Sequence, residues 1–164
     1  MTRNPSTLKN RLYTTGGLAL AYLATAELGL LIGFIPAWKV TLIWPPSAIA
    51  LIAVILLGGR ALPGLVLGAL ATSLLNQPGD LSPLSTGLVA LAIALGAITS
   101  ALVAALALRR LFPEGPGTVN ALTFLQGTMI VFLACAIGAL SGMASLTISG
   151  ALPQQAFLPG VTLW

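Results

Sequence analysis

Of the 164 residues, 57% are hydrophobic and 6% charged, with a net charge of +4 and a mean hydropathy of +1.03. A soluble domain carries about 25% charged residues; ten charges cannot coat a water-facing particle of this size, so the composition excludes an ordinary soluble domain and makes lipid the main solvent. The chain has no histidine and one cysteine, Cys135, which excludes an intrachain disulfide and removes the commonest general base and metal ligand.

In chain order, a tail over 1–11 carries Arg3, Lys9 and Arg11 and precedes an apolar run over about 12–34. A second run covers about 44–57 and ends at Gly58-Gly59-Arg60. A third, over about 61–75, is closed by Asn76, Gln77, Pro78, Gly79 and Asp80. A fourth, over about 84–108, stops at Arg109-Arg110. A polar loop with Glu114 leads to a fifth over about 121–146, and a new apolar segment begins before Trp164. The runs are continuously apolar and Ala/Leu-rich rather than alternating, which predicts helices and not barrel strands. The expected fold is an all-α membrane protein, a bundle of about five transmembrane helices.

The cations set the orientation. With the N-terminus in the cytoplasm, Arg3, Lys9, Arg11, Arg60, Arg109 and Arg110 all lie inside and only Lys39 lies outside. The opposite orientation would translocate six of the seven, against the positive-inside rule. Asp80 then falls outside and Glu114 inside. Ala24-Thr25-Ala26 resembles a signal-peptide cleavage site, but the apolar run continues past it to Phe34. The second and third runs, about 14 residues each, reach only ~21 Å and leave a re-entrant hairpin open. Arg60 at their junction favours reaching cytoplasmic water.

Small residues recur every fourth position: Gly17, Ala21, Thr25, Gly29 and Gly33; Gly64, Gly68, Thr72 and Asn76; Ala92, Gly96, Ser100 and Ala104; Ala134, Gly138 and Gly142. That spacing puts each set on one helix face, where backbones can approach closely. A tightly packed bundle is expected, not a wide pore.

Trp44-Pro45-Pro46-Ser47 is the sharpest local feature. Pro45 and Pro46 suit a first helical turn, whose N–H groups have no partners. Trp44 suits a lipid interface, and Ser47 could satisfy an orphan donor. The stretch reads either as a rigid, anchored helix start or as a helix N-terminus facing a small-ligand cavity on the outer side. Glu27 is the only acid within a run. It is expected to be neutral or paired, either bonded to a neighbouring helix or acting as a proton- or ligand-responsive group. Asn76 reads as a helix terminator or a ligand contact, Cys135 as core packing, and Trp38 and Lys39 as interfacial anchors.

No catalytic constellation is present. Without histidine no Ser-His triad can form, and Gly115 to Gly117 lacks a phosphate-loop lysine. No enzyme activity, cofactor or metal is expected. The scattered cations do not make a nucleic-acid face.

Trp-Pro-Pro-Ser-Ala-Ile-Ala (44–50), Leu-Leu-Gly-Gly-Arg (56–60) and Leu-Pro-Gly-Leu-Val-Leu-Gly-Ala (62–69) together resemble the bacterial membrane-associated sensor domains of the first type. Arg109-Arg110, 139–146 and Trp164 fit the same pattern. The resemblance implies a multi-pass inner-membrane sensory input domain for a histidine kinase or diguanylate cyclase. It implies a lipid bilayer, a small ligand or membrane signal, and a possible second copy as partners. The family domain is longer, so the chain is expected to lack the family's later spans and output module. A small transporter or substrate-capture subunit is the alternative, and a purely structural membrane subunit a third.

Overall fold

A computed structural model describes residues 5–35, 40–41, 44–76, 81–113 and 120–163. Helix α1 (Pro5–Gly33) leads to a strand pair, β1 (Phe34–Ile35) and β2 (Val40–Thr41), and then to α2 (Pro45–Leu57). A 3-10 turn (Gly58–Arg60) joins it to α3 (Leu62–Leu75). Then come α4 (Pro83–Leu111), α5 (Ala121–Ile148), a 3-10 turn (Gln154–Ala156) and α6 (Phe157–Leu163). The architecture is all-α apart from the small antiparallel pairing of Phe34 with Thr41 and Ile35 with Val40, which the sequence did not suggest. Trp38, Lys39, Asp80, Glu114 and Gly115–Gly117 lie outside the described residues.

The helix starts follow local chemistry. Prolines occupy the first turns of α2, α3 and α4, where a missing N–H costs nothing. The Ser82 hydroxyl accepts from the Ser85 N–H at 3.2 Å to cap α4. At α5 the Asn120 carboxamide oxygen accepts from the Thr123 N–H at 2.8 Å, and the Thr123 hydroxyl accepts from the Asn120 N–H at 2.9 Å, a reciprocal capping box. Two expectations are corrected. Residues 5–11 are not a separate tail but the first turns of α1, since nothing there breaks a helix. Nor does Ser47 cap α2, whose start has no side-chain cap; the Ser47 N–H donates to the Trp44 carbonyl at 3.2 Å.

Among the described residues three helices, Lys9–Gly33 within α1, α4 and α5, are long and apolar enough to cross a membrane. Helices α2 and α3, with 13 and 14 residues, reach only ~20 Å each. Leu31, Leu88, Phe132 and Ile148 point outward from the bundle; an apolar surface so continuous belongs in lipid.

The small-residue spacing becomes helix contact on three of the four predicted faces. On α3, a Cβ at Gly64 would lie 2.6 Å from the Thr15 carbonyl oxygen, and one at Gly68 would lie 2.7 Å from Tyr22 Cβ. These glycines let α3 lie against α1 at a separation that no larger residue permits. Between α4 and α5, a Cβ at Gly96 would collide with Ser141, while one at Gly138 would be in ordinary contact with Ser100 at 3.8 Å. Two hydroxyls tie that pair reciprocally: Ser100 donates to the Ala134 carbonyl at 2.6 Å and Ser141 to the Ala92 carbonyl at 3.1 Å. Gly29 and Gly142 are buried and Gly33 is half-buried. On α1 the start of the predicted face is the exception. Gly17 meets open space, because α3 packs on Thr15, Leu18, Ala19 and Tyr22, one step around the helix.

The contacts fix the directions. Gly64 and Gly68 meet successive turns of α1 in the same order, so α1 and α3 run parallel; Gly96 with Ser141 and Gly127 with Leu108 make α4 and α5 antiparallel. The described arginines therefore gather at one end. Arg11 and Arg60 line one cleft there. Arg109 Nη2 donates to the Val54 and Ile55 carbonyls at 3.0 and 2.8 Å, which are among the last carbonyls of α2; the Val54 carbonyl also accepts from the Gly58 N–H. Arg110 follows it in the last turn of α4. The main core, including Tyr22, Ala50, Val54, Leu65, Ala69, Ala94 and Ile98, joins α1 to α4. A second cluster of Val89, Met143, Leu146 and Leu152 seats α6 at the opposite end.

Candidate functional site

The start of α2 forms one wall of a partly open cavity of about 180 Å³. Tyr22 of α1, Trp44 and Ser47 of α2, Thr72 and Ser73 of α3, Ser100 of α4 and Cys135 of α5 line it, among small apolar residues. An adjoining cleft of about 280 Å³ shares Trp44, Ser47, Ser100 and Cys135. The two prolines fix the first turn of α2, and the burial of Pro46 holds that turn against the bundle. Trp44, half-buried, and Ser47, exposed, consequently stand at the edge of this cavity beside α1, α3, α4 and α5.

Tyr22 is 3% exposed, and its hydroxyl is hydrogen-bonded to the Trp44 side chain, as a phenol within an apolar bundle requires. Ser100 is engaged with the Ala134 carbonyl. Thr72 differs. It is 4% exposed, and its hydroxyl has no hydrogen-bond partner among the described residues. Leaving a buried hydroxyl unpaired costs about 1–3 kcal/mol. Thr147 of α5 shares this state, whereas Thr14, Thr25 and Thr128 bond back one turn, to the Asn10, Ala21 and Phe124 carbonyls.

The structure brings Glu27 and Asn76 together. The Asn76 side-chain N–H₂ donates to the Glu27 carboxylate at 2.9 Å and to the Thr72 carbonyl at 2.9 Å. The Asn76 backbone N–H also donates to Thr72, at 3.1 Å. Asn76 thus terminates α3 and pairs the acid of α1 through one side chain. Thr72 connects this pair, through its backbone, to the wall of the cavity.

Of the residues singled out in the sequence, Trp44 and Ser47 line the cavity, Pro45 and Pro46 shape it, and Glu27 and Asn76 lie at the adjoining end of α3. Gly68 sets the approach of Tyr22. Arg11, Arg60, Arg109 and Arg110 are remote, at the basic end. Cys135, expected in the core, is exposed on α5 while also lining the cavity; its neighbour Ala134 takes the buried position instead. Sequence reasoning missed Tyr22. The available signal was a hydroxyl-bearing aromatic in the middle of an apolar run, which needs a hydrogen-bond partner from another helix.

The fold and site define an apolar helical bundle for the membrane, with a small uncharged, partly open cavity and no clustered metal ligands among the described residues. The sequence pattern of the MASE1 family matches residues 15–164, nearly the whole chain, and the chain belongs to that family, a family of membrane-associated sensor domains. No curated protein and no solved structure matches it.

Proposed function

We propose that this chain is the sensory input domain of a bacterial receptor of the inner membrane, coupled to a histidine kinase or diguanylate cyclase module. In this reading α1 to α5 cross the bilayer, the N-terminus is cytoplasmic, and the chain carries out no chemistry of its own. A small ligand or membrane signal shifts the bundle between two packings, and the shift passes to the output module, in a homodimer. The MASE1 match over 15–164 is the observation that carries the reading. The gathering of Arg11, Arg60 and Arg109 at one end supports the orientation through the positive-inside rule. Helix α2 is rigid, with Trp44 at the cavity and its far end held by Arg109, and so offers a mechanical route between the two.

The test is the full-length gene product in lipid vesicles, assayed for autophosphorylation or cyclic di-GMP synthesis. Ser47→Leu, which crowds the cavity mouth, is expected to shift basal output at least threefold with unchanged membrane insertion. An output indistinguishable from wild type across such variants rejects the sensory role.

A further inference from the structure

The arginines at the basic end of the bundle are not spent alike. Arg109 donates to the α2 carbonyls. Arg11 of α1 and Arg60 of the 3-10 turn instead line one open cleft of about 460 Å³. Both side chains are exposed, and neither guanidinium has an ion pair or hydrogen bond among the described residues. Of the three acids in the chain, Glu27 alone lies within the described residues; it is bonded to Asn76, ~24 Å along α1 from Arg11. Cations that only set topology have to reach water, and nothing in that role makes them converge. Two like charges brought into one cleft from separate elements repel each other, and an anion between them turns that repulsion into attraction.

Depth in the bilayer names the anion. Lys9 Nζ lies 5.8 Å from the centroid of the Tyr13 ring, and a cation beside a tyrosine at the end of an apolar run marks the headgroup level. The cleft uses the same stretch of α1, through Asn10 and Arg11. Its other lip includes Leu57, apolar and exposed at the end of α2, so lipid-facing surface begins where the cleft ends. We propose that this cleft binds the headgroup of one anionic phospholipid, with its phosphodiester between Arg11 and Arg60 and its acyl chains leaving over Leu57. Guanidinium forks match phosphate oxygens in charge and geometry, and the exposed Asn10 carboxamide adds a neutral donor. Basic pockets between membrane helices suit such headgroups, and the volume falls within the ~300–1,000 Å³ of small-ligand sites. Inorganic phosphate offers the same oxygens but no chains to cover Leu57. A lipid held there ties α1 to the turn between α2 and α3, at the end of α2 opposite Trp44. The inference uses the placement of the bundle in a membrane and is independent of any signal the bundle sends.

The test is native mass spectrometry of the full chain released from detergent, after incubation with equimolar dioleoyl phosphatidylglycerol and dioleoyl phosphatidylcholine. The expected result is one retained phosphatidylglycerol per chain, preferred roughly 25-fold, or about fivefold for each guanidinium. Arg11→Gln and Arg60→Gln should each lower the preference about fivefold, and the double variant should abolish it. Arg110→Gln, which removes a charge at the same end from outside the cleft, should leave it unchanged. If the double variant does not fold, the single variants against Arg110→Gln still decide. No preference in the wild type, or equal losses for Arg110→Gln and the cleft variants, overturns the proposal. Millimolar inorganic phosphate separates the two sources of the anion: the lipid should stay bound, and its displacement would make a free anion the occupant and overturn the lipid assignment.

Discussion

Replacing Arg109 with glutamine tests how the basic end of the bundle is held. One guanidinium nitrogen donates to two carbonyls of α2, at 3.0 and 2.8 Å. Hydrogen bonds to a charged group contribute about 1.5–3 kcal/mol each when buried, and a cation at a helix C-terminus adds about 0.3–1 kcal/mol. One of the two bonds is exposed and the other only partly buried, so solvent screening reduces the sum to about 2 kcal/mol. For a chain of this size that corresponds to a fall in Tm of roughly 5 °C, read by thermal unfolding of the detergent-solubilised protein. Arg109→Lys should fall less, since an ammonium keeps the charge but not the fork. Arg110→Gln is the control: it removes the same charge one residue along, from a side chain that makes no such bond among the described residues. Equal losses for Arg109→Gln and Arg110→Gln would mean that only net charge matters, and the proposed hold on α2 would be refuted.

Four further outcomes are expected. Gly68→Ala places a methyl 2.7 Å from Tyr22 Cβ and should destabilise the bundle by about 1–3 kcal/mol through overpacking, whereas Gly17→Ala, in open space, should be neutral or slightly stabilising in the same melts. Ser100→Ala and Ser141→Ala should each cost about 0.6 kcal/mol, a modest loss that steric-trap unfolding in bicelles can resolve. Glu27→Gln can still accept from Asn76, so insertion should be intact while output in the full-length receptor changes; identical output across ligand and pH titrations would reject a signalling role for the carboxylate. In a Cys135→Ala background, cysteines at positions 60 and 110 should resist a membrane-impermeant maleimide added to whole cells and one at position 82 should react, and the reverse pattern would invert the topology.

The sequence alone determined the solvent and the elements. Continuous apolar runs broken by proline, glycine and arginine permit little except helices in lipid, because an unpaired backbone group there is too costly. Their bounds were therefore legible to within a few residues for α2 to α5. Small-residue spacing identified the packing faces of α3, α4 and α5, since a residue every fourth position must lie on one side of a helix. What the spacing does not encode is which neighbour each face meets. On α1 the contact fell on Thr15, Leu18, Ala19 and Tyr22 rather than on Gly17, and that choice depends on how α3 crosses it. The cavity was likewise beyond a linear reading. Trp44 and Ser47 stood out along the chain, but Tyr22, Thr72 and Ser100 become their neighbours only when four helices close around the first turn of α2. The same holds for Glu27 with Asn76, and for Arg109 with the end of α2, partners separated by 49 and by 54–55 residues. Periodicity reports the face a residue occupies on its own helix, whereas pairing between distant helices is set by the packing of the whole bundle.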